Sequence, residues 1–207
     1  MTCEGTSDDL IGEALLIGVV EDQVKNATTE VDISSLSLPK PKPITNSQDQ
    51  RLVEQLADTI RVIGDRLDQD QRFNDMIDGL VCVADKSSFW KLVEKVFCNE
   101  QITWGRIIVL FYSVGKLSVK MVLAHLPAVF TDILNLSLDF FRRKLLQWIC
   151  NMGGWTAALT LDLRKHSGPT PADDMAPQTI TDCGNFTRDL KQRGFCACPL
   201  FLQTLGP

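Results

Sequence analysis

Wound as a helix, the segment from about Trp104 to Leu126 is apolar on nearly every side, with Lys116 and Lys120 set into one face four residues apart. Such a helix has no broad face to give to water. It must be wrapped by other helices, and that requirement sets the fold. The chain supplies the wrapping. Apolar residues recur at mostly helical spacing over residues 8–25, where Asp8 or Ser7 is the expected cap. Shorter helical patches follow near 73–83 and 89–98. Pro127 opens a further helix, where its missing N–H costs little. That helix is expected to run to about Trp148 through the basic cluster Arg142-Arg143-Lys144. Gly153-Gly154 breaks the chain before a short piece from Trp155 to Leu163. The predicted fold class is therefore all-α, a bundle around one central buried hydrophobic helix. The 207 residues suffice for one such domain, placed at 1–163, with chain to spare.

The rest reads as irregular. Residues 26–48 are a predicted loop, because Pro39, Pro41 and Pro43 forbid helix. Residues 164–207, interrupted by Pro169, Pro171, Pro177 and Pro199, are a predicted irregular tail. The polar, acidic start (Glu4, Asp8, Asp9) predicts no signal peptide. No run of about 18 uncharged apolar residues occurs, so no transmembrane helix is expected. The chain is expected to begin in the cytosol.

Several function classes find no support. A net charge of −5 offers nothing to nucleic acid. Seven cysteines, an odd number, read as small packing residues of a reducing compartment. Cys196-Ala-Cys198 lacks the paired spacing of a zinc or redox site, and only His125 and His166 could add imidazole. No phosphate loop, dinucleotide fingerprint or catalytic triad spacing is present, so neither an enzyme nor a cofactor or metal is expected.

The clearest amphipathic pattern lies over residues 52–67. Leu52, Leu56, Ile60, Ile63 and Leu67 follow one another at steps of 4, 4, 3 and 4. They fall within an arc of roughly 80°. Glu54, Gln55, Asp58, Arg61, Asp65, Arg66 and Asp68 fill the other faces. The commoner use of such a stripe is core packing. The other is docking into a groove.

Motifs weigh between the two. Leu56-Ala57-Asp58-Thr59-Ile60-Arg61-Val62-Ile63-Gly64-Asp65 resembles the third Bcl-2 homology motif. Thr103-Trp104-Gly105-Arg106 resembles the first, and Trp148-Ile149-Cys150-Asn151-Met152-Gly153-Gly154-Trp155 the second. All three stand in family order and spacing, within a resemblance covering about residues 8–160. The sequence is similar to the pro-apoptotic effector branch of the Bcl-2 family. Leu110-Phe111-Tyr112 with Lys116-Leu117, and Leu145-Leu146-Gln147-Trp148-Ile149, carry that finer match.

The resemblance implies a Bcl-2-like helical bundle and assigns roles. Leu56, Ile60, Ile63 and Leu67 would fill pockets of a hydrophobic groove, with Gly64 allowing close approach. Asp65 would pair with Arg106 in its own or a partner's groove, beside Trp104 and Gly105. In the second motif Gly153 and Gly154 make a turn, and Trp148 and Trp155 are apolar anchors that packing alone also explains. Residues 104–147 resemble the family's pore-forming hairpin, whose Lys116, Lys120, Arg142, Arg143 and Lys144 would reach anionic head groups. Thr103 stands where the family has asparagine and still caps. Thr156 stands where the family usually has an acid, which leaves that contact open. From Lys165 onward nothing matches the apolar tail helix of family effectors, so the tail is not expected to anchor.

The implied function is a pro-apoptotic regulator that moves from cytoplasm to the mitochondrial outer membrane. It would bind death-motif helices of other Bcl-2-family proteins, homo-oligomerise and permeabilise that membrane. A pro-survival protein and a cytosolic decoy isoform that sequesters death-motif helices are the alternatives.

Overall fold

The computed structural model describes residues 3–27, 38–97 and 101–166, with side chains as far as residue 160. Helix α5 (Trp104–Leu123) is the axis, and sixteen of its twenty residues are buried. Around it pack α1 (Ser7–Ala27), α2 (Ser47–Asp68), α3 (Gln71–Val81), α4 (Ser87–Val96) and α6 (Pro127–Phe140). The chain then passes through a π-turn, Phe141–Leu145, into α7 (Leu146–Asn151) and α8 (Trp155–His166). The core is continuous, with Phe73, Phe89, Phe111, Phe130 and Phe141 fully enclosed. Each such side chain stabilises the bundle by about 1.5–3 kcal/mol relative to exposure.

Local chemistry explains most of the boundaries. The Asn46 side chain accepts from Gln48 N at 3.0 Å and starts α2. The Asp70 carboxylate accepts from Arg72 N and Phe73 N and starts α3. Thr103 Oγ1 accepts from Arg106 N at 3.3 Å, so threonine caps α5 in place of asparagine. Both α5 and α7 end in the same way. His125 N donates to Val122 O and Leu126 N to Met121 O, with His125 left-handed at φ 57°. Gly153 N donates to Cys150 O and Gly154 N to Ile149 O, with Gly153 at φ 96°. This paired closure needs a left-handed residue just past the helix, which glycine adopts without strain.

Four expectations are corrected. The predicted 127–148 helix is not continuous, because the π-turn inserts a wider winding at Phe141–Leu145. The last helix runs through His166, past the expected start of the irregular tail. Within the expected 26–48 loop, α1 extends to Ala27 and α2 begins at Ser47, leaving 38–46 without regular structure. Asp8 does not serve its own helix, because its carboxylate is engaged at α8. The expectations for residues 28–37 and 167–207 lie outside the described residues. No helix among the described residues is long and apolar enough to cross a membrane.

Candidate functional site: the inward ridge of helix α2

The motif ridge faces the core. Leu56, Ile60 and Leu67 are buried along with Gly64, while Leu52 and Ile63 are half-buried against the same cluster. At Gly64 α2 packs tightly on α5, since a Cβ built there would collide with the edge of the Tyr112 ring. Tyr112 is itself buried. Gly64→Ala should therefore cost about 1–2 kcal/mol in urea unfolding, overpacking outweighing the gain in helix propensity. A variant as stable as the parent would mean that α2 does not seat on Tyr112.

Polar contacts hold the rim of α2. Ser7 Oγ donates to Asp49 Oδ2 at 2.6 Å near its start. Arg61 bridges to Asp22 of α1 at 3.1 Å. At its end, Lys116 Nζ reaches Asp68 Oδ2 at 2.7 Å and lies 5.6 Å from the Tyr112 ring centroid. Burial, then the hydrogen bond to Asp68 and the Asp68 and Asp65 charges, push the Tyr112 phenol well above its ordinary range. It stays a donor at any physiological pH. Lys120 bridges similarly to Asp78 of α3 at 2.9 Å. Partly exposed pairs of this kind are worth about 0–1 kcal/mol each. They guide how α2 sits more than they fasten it.

The first and second motifs pack on each other. The Trp104 ring meets Trp148 at 5.0 Å and Trp155 at 5.7 Å between centroids. Trp104 and Gly105 are buried, and the Trp104 indole N–H finds no acceptor among the described residues. A buried donor left unpaired costs about 1–3 kcal/mol. Arg106 is half-buried and donates to Gln101 O at 2.9 Å. Asp65 is exposed, and within this bundle it forms no ion pair with Arg106 among the described residues. Asp65 instead lines a cleft of about 490 Å³ between α1, α2 and α5, with Val53, Ala57, Tyr112 and Val119.

The N-terminal half of α1 grips the C-terminal half of the bundle, a relation that sequence reasoning missed. Trp155 N donates to Asp8 Oδ1 at 3.0 Å, and Trp155 Nε1 donates to Asp8 O at 2.9 Å. Gly154, at φ 74°, leaves room for that carboxylate. An acid from α1 thus sits at the start of α8, where Thr156 offers none. Next to it, Arg142 of the π-turn reaches Asp9 at 3.3 Å and Glu13 at 2.6 Å. Desolvation acts against the Arg142 charge, but Glu13 and Asp9 outweigh it and hold the guanidinium above its ordinary value. The Phe141 ring occupies the space beside Gly12.

The cationic set of the hairpin divides accordingly. In the closed bundle Lys116, Lys120 and Arg142 are engaged with acids of neighbouring helices. Arg143 and Lys144 are exposed, with no ion pair among the described residues. One sequence signal for the α1 grip existed: Asp9 and Glu13 stand a turn apart among the apolar positions of residues 8–25.

An apolar axial helix, five helices packed on it and three motif segments brought into one bundle define a class. The family described as "Apoptosis regulator proteins, Bcl-2 family" matches residues 60–155, so the chain carries a Bcl-2 family domain. Within it the chain is BAX-like. It is 29% identical to the apoptosis regulator BAX of Mus musculus over 149 residues, covering 72% of this chain and 73% of that one. The Homo sapiens BAX is 28% identical over the same shares. Among solved structures, chicken BOK matches with a TM-score of 0.50 at 20% identity, over 75% of this chain and 98% of that one. Trichoplax adhaerens trBcl-2L2 bound to trBak BH3 matches with a TM-score of 0.53 at 15% identity, over 74% and 97%. These two structures bear on the fold alone.

Proposed function

We propose that this Bcl-2-family apoptosis regulator is a pro-apoptotic effector. It starts in the cytoplasm, binds a death-motif helix, releases α2 and assembles with copies of itself on the mitochondrial outer membrane, which it permeabilises. One observation carries the reading: the motif ridge Leu56, Ile60, Gly64 and Leu67 is buried in its own bundle. A ridge that docks into a second molecule must first leave. Exposing three aliphatic side chains costs roughly 5–8 kcal/mol, so the closed form dominates until a partner or a membrane offsets that sum. The structural neighbour trBcl-2L2 is bound to trBak BH3, and a helix of this kind is the ligand proposed here. The exposed Arg143 and Lys144 provide an initial contact for anionic lipid.

Dye-loaded liposomes with anionic lipid supply the test. The full chain plus a death-motif peptide should release dye, and either alone should release little. A folded chain that releases none would overturn the proposal. If it also blocked release by a known effector, it would be a guardian.

A further inference from the structure

Two thiols meet where the start of the chain crosses α7. Thr6 donates to the Cys3 carbonyl through its N–H at 3.2 Å and its hydroxyl at 2.6 Å, which fixes the turn ahead of α1. Cys3 Sγ points at Gln147 Oε1, 3.8 Å away. One helical turn on, Cys150 Sγ donates to Asp8 Oδ2 at 3.6 Å. Cys3 is also a neighbour that acts on the Cys150 thiol, and both are half-buried, so a small reagent can approach. Each sulfur is thus tied across the same seam, Cys3 of the first turn to Gln147 of α7 and Cys150 of α7 to Asp8 of α1.

We propose that Cys3 and Cys150 are a redox-responsive pair, oxidised by a low-molecular-weight disulfide of the glutathione class, whose bond staples the N-terminal turn to α7. Burial, the adjoining Cys3 thiol and the Asp8 charge push the Cys150 thiol up to about 12. Cys3 therefore starts the exchange. Its thiolate attacks one sulfur of glutathione disulfide, that S–S bond breaks, and the first glutathione leaves as thiolate. Cys150 then loses its proton to solvent and attacks the Cys3 sulfur. The mixed disulfide breaks and the second glutathione leaves. Two protein thiols become one disulfide, and one glutathione disulfide becomes two thiols.

The bond would close a loop over most of the bundle and hold Asp8 on Trp155, the contact by which α1 retains α8. Oxidation would then oppose opening. That last consequence rests on the proposed function, whereas the bond itself does not.

The test uses the full chain, treated with glutathione disulfide or dithiothreitol, alkylated and mapped by mass spectrometry. A peptide joining Cys3 to Cys150 should appear on oxidation and vanish on reduction. Tm should rise by about 5 °C or more, and Cys3→Ser should lose both the peptide and the rise. Oxidised chain should release liposome dye more slowly than reduced chain. Recovery of Cys3 and Cys150 as separate adducts, or a mapped bond without any rise in Tm, would overturn the proposal. A mapped bond in a chain that releases no dye even when reduced would leave the pair standing and remove the effector reading.

Discussion

Arg142→Ala is expected to destabilise the bundle by about 3–5 kcal/mol, lowering the urea midpoint without changing the fold class. The Asp9 and Glu13 side chains are only 3% and 8% exposed, and Arg142 is 27% exposed, so the guanidinium neutralises two carboxylates that water hardly reaches. Removing it strands both. Most of the loss is that penalty rather than the worth of the pairs. The triple variant Asp9→Asn, Glu13→Gln, Arg142→Met should therefore recover most of the stability. Recovery would locate the cost in the stranded charges. A single variant as stable as the parent would show that α1 does not depend on the π-turn.

Leu56→Glu is expected to fail twice. Leu56 is 2% exposed in the closed chain, so a carboxylate there loses a core side chain and meets no partner. The loss should be about 3 kcal/mol or more in unfolding. The same charge would face an apolar groove in a second molecule, so crosslinked dimers should disappear on liposomes. The two losses separate the ridge's roles. A residue that served only the core would, once weakened, open more readily and assemble as well as before. Destabilised chains that still crosslink normally would contradict docking by this ridge.

The bundle was legible because its axis admits no alternative. A helix apolar all round has to be enclosed, and α5 is. Gly64 could be read as a point of close approach because a glycine bordering a narrow ridge has few other uses, and Tyr112 occupies that space. Thr103 could be read as a cap because capping depends on neighbouring residues alone. Contacts between distant segments could not be read this way. The pair of Asp8 with Trp155 spans 147 positions, and no local pattern announces that an acid at one helix start serves another. The π-turn was invisible for a related reason. Phe141–Leu145 carries no glycine or proline, and the turn places Phe141 against Gly12 and Arg142 against two acids of α1. Asp65 reads as a solvated charge by its place on the wheel, and it is exposed. Its pairing with Arg106 came from resemblance, and within one closed chain the two remain apart.

The release of α2 is best followed by hydrogen exchange, with mass spectrometry on residues 47–68 in the full chain. Measurements would compare chain alone, chain with liposomes, and chain with liposomes and a death-motif peptide. Slow exchange in the first two, and a loss of protection in α2 that keeps pace with dye release in the third, is the predicted result. Dye release from a chain whose α2 amides stay as protected as in the closed form would contradict the account.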